Sequence, residues 1–225
     1  MNIIDVVIIF GLLLGGVSGA KNGVFKQLVV LIGTVLCFVF AFLLKDFLAN
    51  FLSYTLPFFN FAGPLKGLTS LNIIMYQLIA FMILMALFSS ILVVLIKVTG
   101  GFEKFLKFTI VLGIPSKILG FVVGVIEAYV ILFAILFFMN QPAFNLNVFN
   151  ESRFANVVLV SSPGLSNVVK DTNDAVMDVY SITKDYNDSN DSLAFNKRIV
   201  SCLRDHKVID DGYLNELRKR GKINY

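Results

Sequence analysis

The sequence predicts an all-α fold: an integral membrane bundle of four transmembrane helices, with an interfacial helix and a small helical C-terminal tail. Three observations predict it. The chain is 57% hydrophobic and only 15% charged, has 23 Phe and no Trp, and its mean hydropathy is +0.81, outside the range of soluble globular proteins. The charge is uneven: residues 1–140 hold eight Lys/Arg and four Asp/Glu, whereas residues 141–225 hold eleven of each. Finally, the apolar half contains four runs that each meet the roughly 20 residues a helix needs to cross a bilayer. The division expected is a transmembrane bundle over 1–140, a polar helical segment and linker over 141–192, and a small helical hairpin over 193–225.

The first span is expected over about 3–20. The basic residues Lys21 and Lys26 follow the apolar run instead of preceding it, which reads as a span and not a cleaved secretory signal. The second span, about 24–44, has no charge between Lys26 and Lys45. The third, about 71–96, lies in the uncharged stretch from Gly67 to Ile96, and the fourth, about 116–139, is interrupted by one acid, Glu127. Lys21 and Lys26 in the first connection and Lys97, Lys104, Lys107 and Lys117 in the third outnumber Lys45 and Lys66 in the second. The first and third connections are therefore expected to be cytoplasmic and both termini extracytoplasmic.

Two connections have character of their own. FLSYTLPFFNFAGP, residues 51–64, is aromatic, uncharged and broken by Pro57 and Pro64, which suits the headgroup layer or a shallow re-entrant segment. GGFEKFLKFTIVLGIP, residues 100–115, sets Phe102, Phe105, Leu106 and Thr109 on one helical side. That pattern predicts an interfacial helix whose lysines meet anionic lipid.

GLLLGGVSGAKNG, residues 11–23, puts five glycines into an apolar helix, each costing about 1 kcal/mol relative to alanine in a helix interior. Gly11, Gly15, Gly19 and Gly23 form one ridge, and Gly120, Gly124 and Ala128 a second in the fourth span. Small residues at that spacing let two membrane helices approach closely, so the ridges are assigned to helix packing ahead of a narrow path or hinges. Glu127 is the sharper feature. It falls about eleven residues into its span, near mid-membrane at about 1.5 Å per residue. An acid there points either to a proton or ion site or to a structural hydrogen bond, with Gln77, Tyr76, Tyr129 or a backbone carbonyl as candidate partners. Asp5, at the first span's N-terminus, suits the helix dipole and is a weaker candidate for the same polar site.

At this point the residues carry a resemblance. Asn2 and Asp5 before an apolar run, GAKNGVFKQL after it, IPSKILGFVVGVIEA in the fourth span and SRFANVVLVSSPGLS beyond it resemble, in this order, the CvpA family of colicin V production proteins, over about residues 1–166. The resemblance implies a four-helix bacterial inner-membrane protein linked to bacteriocin production, with no established chemistry. Some relatives carry an extracytoplasmic serine-protease domain after the membrane module; the tail here is too short for one. Glu127 and Ala128 depart from the lysine and glycine that many relatives hold there.

Enzymatic signals are not found. His206 has no neighbouring sequence pattern of ligands or nucleophiles and reads as a solvated helix-end residue; no cofactor and no metal site is expected. Cys37 within a span and Cys202 in the tail are not disulfide partners. Residues 164–183 show helical spacing and KDYNDSNDS a linker. The last segment suggests two short helices, with Leu193, Ile199, Leu203 and Val208 facing Tyr213, Leu214 and Leu217. RKRGK at its end reads as a basic helix terminus, with no nucleic-acid partner. The functional expectation is a non-enzymatic membrane component of toxin production or envelope assembly. Its partners would be the lipid bilayer, a membrane or envelope protein, and a second copy of itself. The alternative is a proton- or ion-linked transporter with Glu127 as its titrating group.

Overall fold

The computed structural model describes residues 2–98, 113–139, 152–162, 164–186 and 191–223. Among them are eight α-helices: α1 (Ile3–Asn22), α2 (Val24–Thr55), α3 (Leu71–Val98), α4 (Gly113–Met139), α5 (Arg153–Ser161), α6 (Leu165–Lys184), α7 (Ser192–Asp205) and α8 (Asp211–Lys219). Four of them are long and apolar enough to cross a membrane, over Ile3–Asn22, Val24–Thr55, Leu71–Lys97 and Ile114–Phe137. The all-α membrane fold expected from composition is the fold observed. The expected interfacial helix, apart from the start of α4, lies outside the described residues, as do the boundary at residues 140–142 and part of the linker.

Contacts group the chain into two compact units that interleave in sequence. The first comprises Met1–Ala41, Leu84–Asn140 and Phe144–Pro163; the second comprises Phe42–Ile83, Gln141–Ala143 and Gly164–Tyr225. Helices α2 and α3 contribute to both.

In the first unit α1 and α4 run antiparallel along one another: Gly11 faces Leu132, Gly15 faces Ala128 and Gly124, Gly19 faces Gly120, and Gly23 faces Ser116. Helix α2 closes onto the same elements. Phe38 meets Phe133 edge-on with centroids 5.6 Å apart, and Leu92 of α3 occupies the space that a side chain at Gly33 would need. The turn between α1 and α2 is a single residue, Gly23, at φ +77° with its N–H donating to Gly19 O at 2.9 Å. A residue with a Cβ is strained at that φ, so the immediate reversal from α1 into α2 requires glycine.

The second unit explains why α2 is longer than the apolar run that announces it. Helix α2 has 32 residues, about 48 Å at 1.5 Å per residue, well beyond a hydrocarbon core of about 30 Å. Its helix passes through Lys45 and Asp46, which bond to each other at 2.8 Å; Lys45 is buried and lies 4.7 Å from the Phe42 ring centre. The helix ends at Thr55, two residues before Pro57, whose ring disfavours helix in the residue that precedes it. Residues 51–64 are therefore partly the last turns of α2, and the remainder folds back onto α3. Tyr76 Oη donates to Pro57 O at 2.6 Å, Asn72 exchanges bonds with the backbone of Phe59 at 2.7 and 3.1 Å, and the Phe58 and Phe59 rings lie on Tyr76.

The rest of the second unit is a side-chain core. Leu68, Ile73 and Ile74 are buried with Val176 and Val179 of α6, Ile199 and Leu203 of α7, and Leu214 and Leu217 of α8. Leu193, expected in this core, is 44% exposed, because the first turn of α7 projects it away from the face carrying Ile199 and Leu203. Asn196, buried, orders the edge of this core: its Oδ1 accepts from Ser70 N and Oγ at 2.9 and 2.6 Å, and its Nδ2 donates to Gly67 O and Ser192 O at 2.8 Å each. All the hydrogen-bonding capacity of that amide is thereby used.

Candidate functional site

The polar groups inside the first unit are the candidate site. Glu127 is partly buried on α4 beside the second glycine ridge. Gln27, only 1% exposed, donates from Nε2 to Glu127 Oε2 through a short hydrogen bond. Asn22 Nδ2 in turn donates to Gln27 Oε1 at 2.9 Å, and Thr34 is hydrogen-bonded to Glu127 as well. Val24 N–H donates to Ser116 Oγ at 3.3 Å. The acid is thus fixed between α1, α2 and α4 by neutral amides and hydroxyls, an arrangement that holds helices together in an apolar medium.

Asp5 has a different setting. One carboxylate oxygen accepts from Asn2 N–H at 3.0 Å, completing a capping box at the start of α1. The other accepts from Ser152 Oγ at 2.6 Å and from Phe154 N–H at 3.3 Å. Ser152 is itself the N-cap of α5, accepting from Ala155 N–H at 3.0 Å. One buried aspartate therefore joins the starts of two helices that are far apart in sequence. At the other end of α5, Ser162 is hydrogen-bonded to Tyr129 Oη at 2.7 Å and donates to Val158 O.

The structure brings Gly15, Gly19, Gly120 and Gly124 into backbone-to-backbone approach. A Cβ built on Gly19 would collide with Gly120 O and lie 2.8 Å from Gly124 Cα; one on Gly15 would meet Ala128 and lie 2.6 Å from Gly124 O. Gly11 is looser, with a Cβ 3.4 Å from a Leu132 methyl. Gln77 is not with Glu127. It belongs to the second unit, where its Nε2 donates to Asp46 Oδ1 and Val208 O at 3.1 Å each; it sits on the first part of α3, which packs against the end of α2 and the α7–α8 turn. Of the three polar candidates, Glu127 and Asp5 share a unit but have separate partners. Gln27, Asn22 and Ser152 complete their environment. Neither Gln27 nor Ser152 was singled out from the sequence; the signal each carried was its residue type alone, an amide next to Lys26 at the start of an apolar run and a serine just before a helical stretch.

This arrangement, four apolar helices with α1 fastened to α4 by glycine and to α5 by Asp5 and Ser152, falls within the stretch that matches a family model. Residues 4–163 match the model described as colicin V production protein. The chain belongs to the colicin V production family. The match spans well over half of its length and includes both glycine ridges, Gln27, Glu127, Asp5 and Ser152. This family member is also similar to an uncharacterized transmembrane protein of Bacillus subtilis (strain 168), YshB, with 28% identity over 179 residues covering 75% of this chain and 96% of YshB. No solved structure matches it. It is a multi-pass membrane protein of the colicin V production family, and helices α6 to α8 lie beyond the matched stretch.

Proposed function

We propose that this family member is a non-enzymatic component of the bacterial inner membrane that serves toxin production or envelope assembly by binding a membrane or envelope partner. The observation that carries this reading is where the buried polar groups of the first unit are spent. Asp5, Gln27 and Glu127 bond to groups of their own unit, while Leu13, Leu14, Val17 and Ile126 present large apolar side chains outward. Such a surface suits lipid and the face of another membrane helix. The proton-linked alternative gains no support from Glu127, because the partners found for it among the described residues, Gln27 and Thr34, are both neutral.

Both termini are assigned to the extracytoplasmic side on the distribution of lysines. The second unit agrees with a shared side for the tail and the α2–α3 connection, because Leu68 and the helices α6 to α8 contribute to one core.

A benzophenone side chain placed at Leu13, which is 53% exposed, is expected to form discrete protein adducts in native membranes. Purified protein in vesicles under a pH gradient is expected to conduct no more protons than empty vesicles. Adducts to lipid alone would remove the partner-binding reading. A proton flux that disappears in Glu127→Gln would replace it with transport.

A further inference from the structure

Outside the stretch matched by the family model, the second unit gathers three metal-ligating side chains from two helices. Cys202 and His206 are four residues apart at the end of α7 and so lie one above the other on the same helix face. Asp178 of α6 stands opposite, with its Oδ2 2.8 Å from His206 Nε2. The Cys202 sulfur, the His206 ring nitrogen and an Asp178 oxygen all lie within 4.8 Å of one another.

We propose that Asp178, Cys202 and His206 bind a divalent transition-metal ion of the zinc class, clipping α6 to α7. Metal–donor lengths of about 2.0–2.3 Å at tetrahedral angles place donor atoms about 3.4–3.7 Å apart. The three donors, all within 4.8 Å of one another, lie near that spacing on an exposed Asp178 and a partly buried imidazole. One thiolate, one imidazole and one carboxylate form a donor set that suits zinc and related ions and does not suit magnesium or calcium, which take oxygen ligands. The exposed side, next to Asp178, leaves room for water as a fourth ligand. A bare His–Asp ion pair would not require a thiol one turn before the histidine; its convergence is what distinguishes this cluster from ordinary surface pairing.

A thiol ligates as the thiolate, so binding releases the Cys202 proton to solvent as the sulfur–metal bond forms. Among the described residues, the Cys202 sulfur lies 3.8 Å from Ala175 O.

The test is cobalt titration of the full-length protein in detergent. One Co²⁺ per chain should produce a thiolate-to-cobalt charge-transfer absorption that Zn²⁺ displaces. The absorption should vanish in Cys202→Ser, persist in Cys37→Ala, and require at least tenfold more Co²⁺ in His206→Gln and in Asp178→Asn. Zn²⁺ should raise the melting temperature of the wild type but not that of Cys202→Ser, which keeps the proposal testable if one ligand variant folds poorly. A folded wild type with no charge-transfer band overturns the assignment. So does a band lost in Cys37→Ala but kept in Cys202→Ser, or zinc stabilisation equal in wild type and Cys202→Ser.

Discussion

The first unit joins α1 to α4 through backbone, whereas the second joins α3, α6, α7 and α8 through side chains. At Gly19 the neighbouring helix is so close that a single added carbon would strike Gly120 O. At Leu203 and Leu217, by contrast, whole leucine side chains are fully buried in a shared core. The difference follows from the solvent each region meets. Lipid tails are as apolar as leucine, so burying leucine between membrane helices gains little, and close van der Waals approach of glycine surfaces is what remains. Helices α6 to α8 are amphipathic and charge-rich, so their apolar faces gain the ordinary hydrophobic free energy when they meet.

The comparison is broken first by removing a large side chain from the second unit. Leu217→Ala is expected to destabilise that unit by about 2–5 kcal/mol, the range for a buried leucine in a packed core. Peptide-resolved hydrogen exchange checks it: protection should fall in α6, α7 and α8 and stay unchanged in α1. Equal loss in α1 would mean that the two regions unfold together.

High pH gives a second, smaller handle on the same core. Burial raises the Tyr213 phenol from 10.0 to about 12, with the hydrogen bond to Ser53 opposing the shift. The folded chain therefore keeps a proton that the unfolded chain releases. The linked stability is fully present below about pH 10 and is lost as pH rises toward 12, up to about 2–3 kcal/mol. Denaturant titrations at pH 9 and pH 11.5 should differ by most of that amount, and Tyr213→Phe should shrink the difference. An undiminished difference in the variant would assign the effect to other groups.

How much of this was legible in the sequence depended on whether the signal was local. The four spans are legible because each is a long apolar run with at most two charged residues, and the glycine ridges because a four-residue spacing of small residues has few other uses in a membrane helix. The extension of α2 was hidden by Lys45 and Asp46, which look like the start of a loop until their mutual bond at 2.8 Å and the Phe42 ring are seen. The partner of Glu127 was equally hidden. Gln27 and Gln77 are both amides in apolar runs, and only the immediate reversal at Gly23 brings Gln27 alongside α4. The Asp5–Ser152 bond and the convergence of Asp178 on Cys202 and His206 depend on contacts between distant segments, which no periodicity encodes.

The most direct test of the central claim compares two alanine substitutions on one helix. In an isolated helix Gly→Ala is favourable by about 1 kcal/mol wherever it is made. Thermal unfolding of the purified protein in detergent should show Gly11→Ala at or slightly above the wild type, since the nearest atoms to its new methyl are Leu132 side-chain carbons at 3.4 to 3.8 Å. Gly19→Ala should melt clearly below the wild type, because its methyl would collide with the backbone of Gly120. If the two variants melt together, at whatever temperature, α1 and α4 are not joined through the glycine ridge.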